Sequence, residues 1–309
     1  MAASAIVRYT RLMRAAACRV VLLLALLCTT TGAGAAVPGV VYGVTLDNDA
    51  GISRAELTAQ TDALAALPRR PIARVVADIG TDPADFAESL PAVHRVSDVI
   101  LGLGDSSELR GVGAPEYSAW VHSLTARYAR DVDIWEIGNE VNGEWVGAPA
   151  QETARIAAAA GEVRAIGGQT MLTLYYNPGC WKRRDSELFT WLAGGHLPRR
   201  VAHELDYVTI SYYPGDCNDY WPSPPRWQHV FDRLHARFPQ AKLGFGEAGT
   251  SCRCLGASGR IDLWNRYRAV QIRGDRYVGL GLWWTWAEDA VPATSAFWHG
   301  FAESLTTLP

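Results

Sequence analysis

The sequence predicts a single (β/α)8 barrel, and three observations carry that expectation. Eight short β-branched or apolar runs each lead through a polar turn into a helical stretch rich in alanine, leucine or arginine. Strands that alternate with helices pair in parallel, because each crossover must return to the same end of the sheet. The chain has 309 residues, and once a leader is set aside the remainder is close to the roughly 250 residues of a one-domain α/β barrel. No G-x-G-x-x-G fingerprint opens the first unit, which argues against an open dinucleotide-binding sheet.

Residues 1–36 read as a secretory signal peptide. Arg8, Arg11, Arg14 and Arg19 precede the apolar run Val20–Cys28, and small residues follow, ending in Ala33-Gly34-Ala35-Ala36. That is the order of a cleaved leader, and the run is too short to span the roughly 20 apolar positions a membrane helix needs. A secreted or periplasmic domain over 37–309 is therefore expected, with no membrane span in the mature chain. Losing the leader removes four arginines and no acids, taking the formal charge from −3 to −7.

Along that domain the candidate strands are Val40–Leu46, Ile72–Asp78, Asp98–Leu103, Val132–Ile137, Gln169–Tyr175, Tyr207–Tyr212, Lys242–Glu247 and Tyr277–Trp284. Each is a short β-branched or apolar run, as strands buried on both faces require. Between them lie the candidate helices Arg54–Ala66, Ala84–Val93, Glu116–Arg130, Ala150–Ile166, Asp185–Ala193, Arg226–Arg237 and Gly259–Gly274. No linker, repeat or second domain interrupts the alternation.

Composition narrows the function. With 49% apolar and 20% charged residues, a disordered, coiled-coil or collagen-like chain is excluded. The 27 arginines and two lysines, Lys182 and Lys242, are scattered rather than bunched, and the charge shows no basic excess, so no nucleic-acid partner is expected. The seven histidines show no H-x-H or H-E-x-x-H spacing and there is no G-x-S-x-G elbow, so neither a metal, a cofactor nor a serine nucleophile is implied. Of six cysteines, Cys180, Cys217, Cys252 and Cys254 lie beyond the leader. In an oxidising compartment disulfides are expected, with Cys252 and Cys254 each bridged to Cys180 or Cys217, in either order, because a Cys252–Cys254 loop would be short and strained. A zinc site from the four thiolates is the alternative.

A barrel places its chemistry on the loops after the carboxyl ends of its strands. There the sequence has Asp47-Asn48-Asp49 after strand one, Asn139-Glu140 after strand four, Tyr212-Tyr213-Pro214 after strand six, Gly246-Glu247 on strand seven and Trp284-Thr285-Trp286 on strand eight. Glu140 and Glu247 are 107 positions apart, close to three barrel units of roughly 34 residues, which sets them at equivalent heights across the mouth. Two carboxyl groups facing each other across a cleft are what glycosidic cleavage requires: one protonates the leaving oxygen, the other attacks or activates water.

Those residues carry a resemblance. Trp135-Glu136-Ile137-Gly138-Asn139-Glu140 resembles the strand-four Asn-Glu motif of clan A glycoside hydrolases, Gly246-Glu247 their strand-seven nucleophile, and Ile210-Ser211-Tyr212-Tyr213-Pro214 the strand-six segment of family 53 and, more loosely, family 39 enzymes. The resemblance implies that Glu140 is the general acid/base and Glu247 the nucleophile of a retaining double displacement. It further implies that Asn139 bonds the sugar 2-hydroxyl, Arg74 supports the nucleophile, Tyr212 or Tyr213 hydrogen-bonds Glu247, and Trp284 floors the sugar site. Arg74 pairing a structural carboxylate such as Asp78 is the plainer reading of that arginine. Val141 departs from the proline that follows Asn-Glu in many relatives.

Twelve tryptophans are present, and Trp145, Trp181, Trp221, Trp227, Trp284 and Trp286 fall in or beside carboxyl-end loops. Their flat faces suit pyranose rings; Trp145, Trp181, Trp284 and Trp286 join the expected substrate contacts. The expected activity is endo-acting cleavage of a β-linked polysaccharide by an exported monomer. A transglycosylase with the same residues and a non-catalytic carbohydrate-binding barrel are the alternatives.

Overall fold

The structure, a computed structural model, describes residues 42–47, 50–250 and 254–306. The expected leader, Asn48, Asp49 and Cys252 lie outside the described residues. Eight parallel staves close into one barrel. They are β1 (Gly43–Asp47), β2 (Ile72–Ala77), β3 (Asp98–Leu103), β4 (Ile134–Gly138), β5 (Gln169–Tyr175), β6 (Tyr207–Tyr212), β7 (Lys242–Gly249) and a last one split into β8 (Tyr277–Leu280) and β9 (Trp283–Trp284). Each stave pairs with the next in chain order from β1 to β7, and β9 pairs with both β7 and β1 to close the ring. The eighth stave breaks where Gly281 takes a left-handed φ of 64°, a conformation that glycine adopts freely.

The surrounding helices are α1 (Arg54–Ala65), α2 (Ser89–Val96), α3 (Ala114–Tyr128), α4 (Pro149–Ala165), α5 (Leu188–Ala193), α6 (Arg199–Glu204), α7 (Pro224–Arg237), α8 (Ala257–Arg268), α9 (Trp286–Ala290) and α10 (Ala296–Thr306). Local sequence sets their starts. Ser53 caps α1 in a reciprocal box with Glu56, a device worth about 1 kcal/mol, and a proline opens α3, α4 and α7, where its missing N–H is harmless. The expected helix Ala84–Val93 is instead a 3-10 turn, Pro83–Phe86, followed by α2. Pro91 explains the break, since its ring would clash with the carbonyl four residues back in a continuous helix. Helices α6, α9 and α10 were not anticipated.

The expected cysteine pairing is corrected. Cys180 is bonded to Cys217, with Cα atoms 5.0 Å apart, a bridgeable separation. The cause is topological: the two loops leave neighbouring strands β5 and β6 at the same end. Cys254 is disulfide-bonded as well. No helix among the described residues is long and apolar enough to cross a membrane.

Side chains at alternate strand positions fill the barrel. Ile72, Ile100, Ile134, Met171, Tyr207, Leu280 and Leu282 form an apolar plug at its amino-terminal end. Two residues further along their strands, Arg74, Glu136, Thr173 and Thr209 make a second layer that is polar and fully buried.

Candidate active site

The polar layer is a network built on one guanidinium. Arg74 Nε donates to Glu136 Oε2 at 2.7 Å, and its NH2 lies 2.7 Å from the same oxygen. Its NH1 lies 3.0 Å from Glu247 Oε1. Glu136 also accepts from the Thr173 hydroxyl, which is 2.8 Å from that of Thr209. The paired-carboxylate reading of Arg74 holds, but with Glu136 and Glu247 rather than Asp78.

Glu247 reaches this network through a bulge. Phe245 packs outward on Trp227, Phe231 and Tyr267, and a Cβ on Gly246 would meet the inward hydroxyls of Thr209 and Thr173 at 2.2 and 2.6 Å. Strict alternation would then turn Glu247 outward. The β6–β7 register slips between Ile210 and Ser211, so that Ser211 faces Glu247, and the carboxylate swings back over the mouth, as bulges beside functional sites often arrange. There Glu247 Oε1 accepts from Asn139 Nδ2 at 2.7 Å and Oε2 from the Tyr213 hydroxyl at 2.7 Å.

Glu140 follows a second register slip, between Glu136 and Gly138 of β4. Its φ is 46°, a left-handed conformation that strains a residue bearing a Cβ by about 1–3 kcal/mol and persists where the surroundings enforce it. Ser211 Oγ donates to its Oε1 at 2.5 Å and Ser106 Oγ to its Oε2 at 3.2 Å. Trp145 Nε1 donates to that same Ser106 hydroxyl at 2.9 Å.

The two carboxyls are almost wholly buried but differently furnished. Burial and the neighbouring charge of Glu247 push Glu140 up to about 8, against the pull of its two serine donors. Burial also raises Glu247, opposed by Arg74 and by the Tyr213 and Asn139 hydrogen bonds. A cation and two donors on Glu247, against only neutral hydroxyls on Glu140, favour the charge on Glu247 over Glu140.

Of the other expected contacts, Trp284 lies under Arg74, whose guanidinium carbon is 5.6 Å from its ring centre. Trp145 sits edge-on to Tyr175 at 5.1 Å, and Trp181 borders open hollows beside them. Two residues are not brought to the pair. Tyr212 points outward, its hydroxyl bonded to the Tyr220 carbonyl and its ring packed on Trp227; of the two tyrosines, Tyr213 is the one that reaches Glu247. Trp286 is fully buried in α9 against Phe301, so a sugar contact is excluded by burial. Trp227 is likewise core, and Trp221 is covered by Arg266 at 4.4 Å.

Glu136, Ser106 and Ser211 were missed as site residues. Alternation offered a signal for two of them: Glu136 shares the inward face of Ile134, and Ser211 that of Thr209. Ser106 lies in an irregular turn and had none. No group of three or more His, Cys, Asp or Glu able to hold a metal occurs among the described residues.

No family model and no curated protein matches the sequence. Solved structures do match in shape. A β-glucosidase from Thermotoga maritima, solved with a methoxycarbonyl-substituted glucoimidazole, aligns at a TM-score of 0.51 and 11% identity over 80% of this chain and 88% of that one. The AHE enzyme of Alicyclobacillus herbarius gives 0.51 and 9% over 80% and 88%. The GH53 catalytic domain of Ignisphaera aggregans is 16% identical over 81% and 86%, with a TM-score of 0.48. This is a likeness of fold. The chain shares its barrel with glycoside hydrolases.

Proposed function

We propose that the chain is an exported retaining glycoside hydrolase that cleaves a β-linked polysaccharide internally by double displacement. One observation carries the reading: a carboxylate held by Arg74, Asn139 and Tyr213 sits beside a second buried carboxyl that has only neutral serine donors and that burial pushes toward its protonated form. Glycoside hydrolysis needs that division of labour.

Glu140 gives its proton to the glycosidic oxygen as that bond breaks, while Glu247 Oε attacks the anomeric carbon and forms a glycosyl ester. The leaving chain departs as an alcohol. Glu140, now ionised, takes a proton from water, whose oxygen attacks the anomeric carbon and releases Glu247 with net retention. Arg74 and Tyr213 hold the nucleophile in position and favour its charged form, and Trp284 offers a face to the sugar ring. Asn139, whose amide nitrogen donates to Glu247, is the residue that would bond the sugar 2-hydroxyl in this reading. Residues 1–36 serve as the export signal of the 37–309 domain.

The experiment is a screen of the domain on bacterial and plant polysaccharides, followed by Glu247→Ala. The variant should lose at least about a thousandfold in kcat/KM and recover part of it with azide as external nucleophile, giving a glycosyl azide of inverted configuration. A Glu247→Ala protein as active as the parent would end the proposal.

A further inference from the structure

On the Glu140 side the mouth continues into two hollows divided by the Trp181 ring. The nearer, of about 510 Å³, is walled by Trp145, Tyr175 and Trp181 and by the cations Arg110, Lys182 and Arg183. The farther, of about 700 Å³, lies between Trp181, Tyr220, Arg184 and Arg226. Trp145 ties this surface to the reacting pair, through the Ser106 hydroxyl that it shares with Glu140.

The charges there are unusual. Four of the five cations have no carboxylate partner among the described residues. Arg110 is held by the backbone carbonyls of Trp145 and Glu144 at 3.0 and 3.3 Å, Arg226 by the neutral Tyr176 hydroxyl at 3.4 Å, and Lys182 and Arg184 stand exposed with no ion pair. Two carboxylates share the lining, Glu144 in the nearer hollow and Glu187 in the farther one; Glu144 accepts from the Arg183 backbone N–H and Glu187 from Thr190 at the start of α5, while Asp185 pairs with the Arg183 guanidinium at 2.7 Å. In a chain of formal charge −3, the fold brings Arg110 and Arg226 to the consecutive cations Lys182, Arg183 and Arg184. Five cations against two carboxylates leave these hollows with an excess of positive charge, and the field that it focuses favours an anion.

We propose that these hollows bind the leaving-group end of an acidic polysaccharide, with a sugar carboxylate or sulfate ester set against Lys182 and Arg184 and ring faces against Trp145 and Trp181. The assignment to the leaving-group side rests on the glycosidase reading above, in which Glu140 protonates the departing oxygen. Trp284 and Arg74 lie on the Glu247 side.

Affinity electrophoresis of the 37–309 domain tests it. Gels would contain hyaluronate, alginate or dextran sulfate, with carboxyl-reduced hyaluronate, carboxyl-reduced alginate and plain dextran as their neutral counterparts. A net-acidic protein has no general attraction to these polyanions. Retardation is expected in at least one acidic gel and not in its neutral counterpart, and it should weaken about tenfold or more between low salt and about 0.5 M salt. A carboxylate-selective or a sulfate-selective result identifies the group. The Lys182→Glu/Arg184→Glu variant should lose the retardation, while Arg130→Glu, a charge reversal on an exposed arginine elsewhere, should keep it; equal melting temperatures would show that both fold.

Equal mobility in acidic and neutral gels, or a double variant retarded like the parent, overturns the proposal. So does stronger binding to single-stranded DNA than to every acidic polysaccharide. Cleavage of neutral polymers without charge preference would defeat this inference and leave the hydrolase standing. Charge-dependent binding with no cleavage of any polymer would defeat the hydrolase reading, and the leaving-group assignment with it, and leave the acidic-polysaccharide site standing.

Discussion

Two layers of the same barrel interior, one residue pair apart on each strand, are built to opposite rules. Below, Ile72, Ile100, Ile134 and Met171 meet with no polar contact to satisfy. Above, Arg74, Glu136 and Thr173 take the next inward positions on three of the same strands and form ion pairs and hydrogen bonds without reaching solvent. Glycine makes the second arrangement fit: a Cβ on Gly102 would stand 3.0 Å from Glu136 Oε2, and one on Gly246 closer still to Thr209. The comparison teaches that the lower layer holds the barrel together and the upper one holds a single carboxylate. A buried ion-pair network is a poor source of stability, so its presence here points to the group it positions.

Arg74→Met should show this most strongly. Glu136 and Glu247 would lose their shared cation inside the barrel, a loss of about 3–5 kcal/mol for a buried pair deprived of one partner. Activity should fall with it, by at least about a thousandfold even below the melting transition, because Glu247 would no longer be held ionised. Parallel thermal unfolding and rate measurements check both. An active Arg74→Met protein would show that the upper layer is not the support of Glu247.

The matching change one layer down is Ile134→Ala. It should destabilise by about 2–5 kcal/mol through lost burial and a residual cavity, yet leave kcat/KM within about twofold at temperatures where the protein is folded. If Ile134→Ala instead shifted the rate as far as it shifted the melting temperature, the separation of the two layers would fail.

That separation also explains what could be read from the sequence. The bounds of β3, β5 and β6 follow from their apolar runs alone, since strands buried on both faces cannot carry polar residues except at their ends or in a paired interior layer. Glu140 and Glu247 stood out by spacing. Their route to the mouth did not: alternation from Gly246 sends Glu247 outward, and only the register slip against Ser211 returns it. Alternation from Thr209 did separate Tyr213 from Tyr212, a signal the sequence contained. Trp286 misled because one residue past Trp284 the chain turns into α9, and its ring drops into the core. The Cys180–Cys217 bridge depended on which loops stand side by side, and no local pattern encodes that. Only part of the cation cluster was legible, as the run Lys182-Arg183-Arg184: Arg110 joins it from a loop and Arg226 from the first turn of α7, both far from Lys182 in the chain.

The effect that starts from nothing, at acid pH, concerns Glu140 itself. Its carboxyl titrates near 8 in the folded protein and near the ordinary 4.5 when exposed. Between those values the native state binds a proton that the unfolded state has released, so stability falls as pH rises through this window. Glu140→Gln keeps the shape and removes the titration. The variant should therefore melt together with the parent at about pH 4 and progressively above it up to about pH 8, although it has lost the acid of the proposed reaction. The same proton sets the alkaline limb of the parent's activity, which should decline above about pH 8. A Glu140→Gln protein that melts below the parent at pH 8 would mean that Glu140 is ionised at rest, and the division of charge between the two carboxyls would have to be reversed.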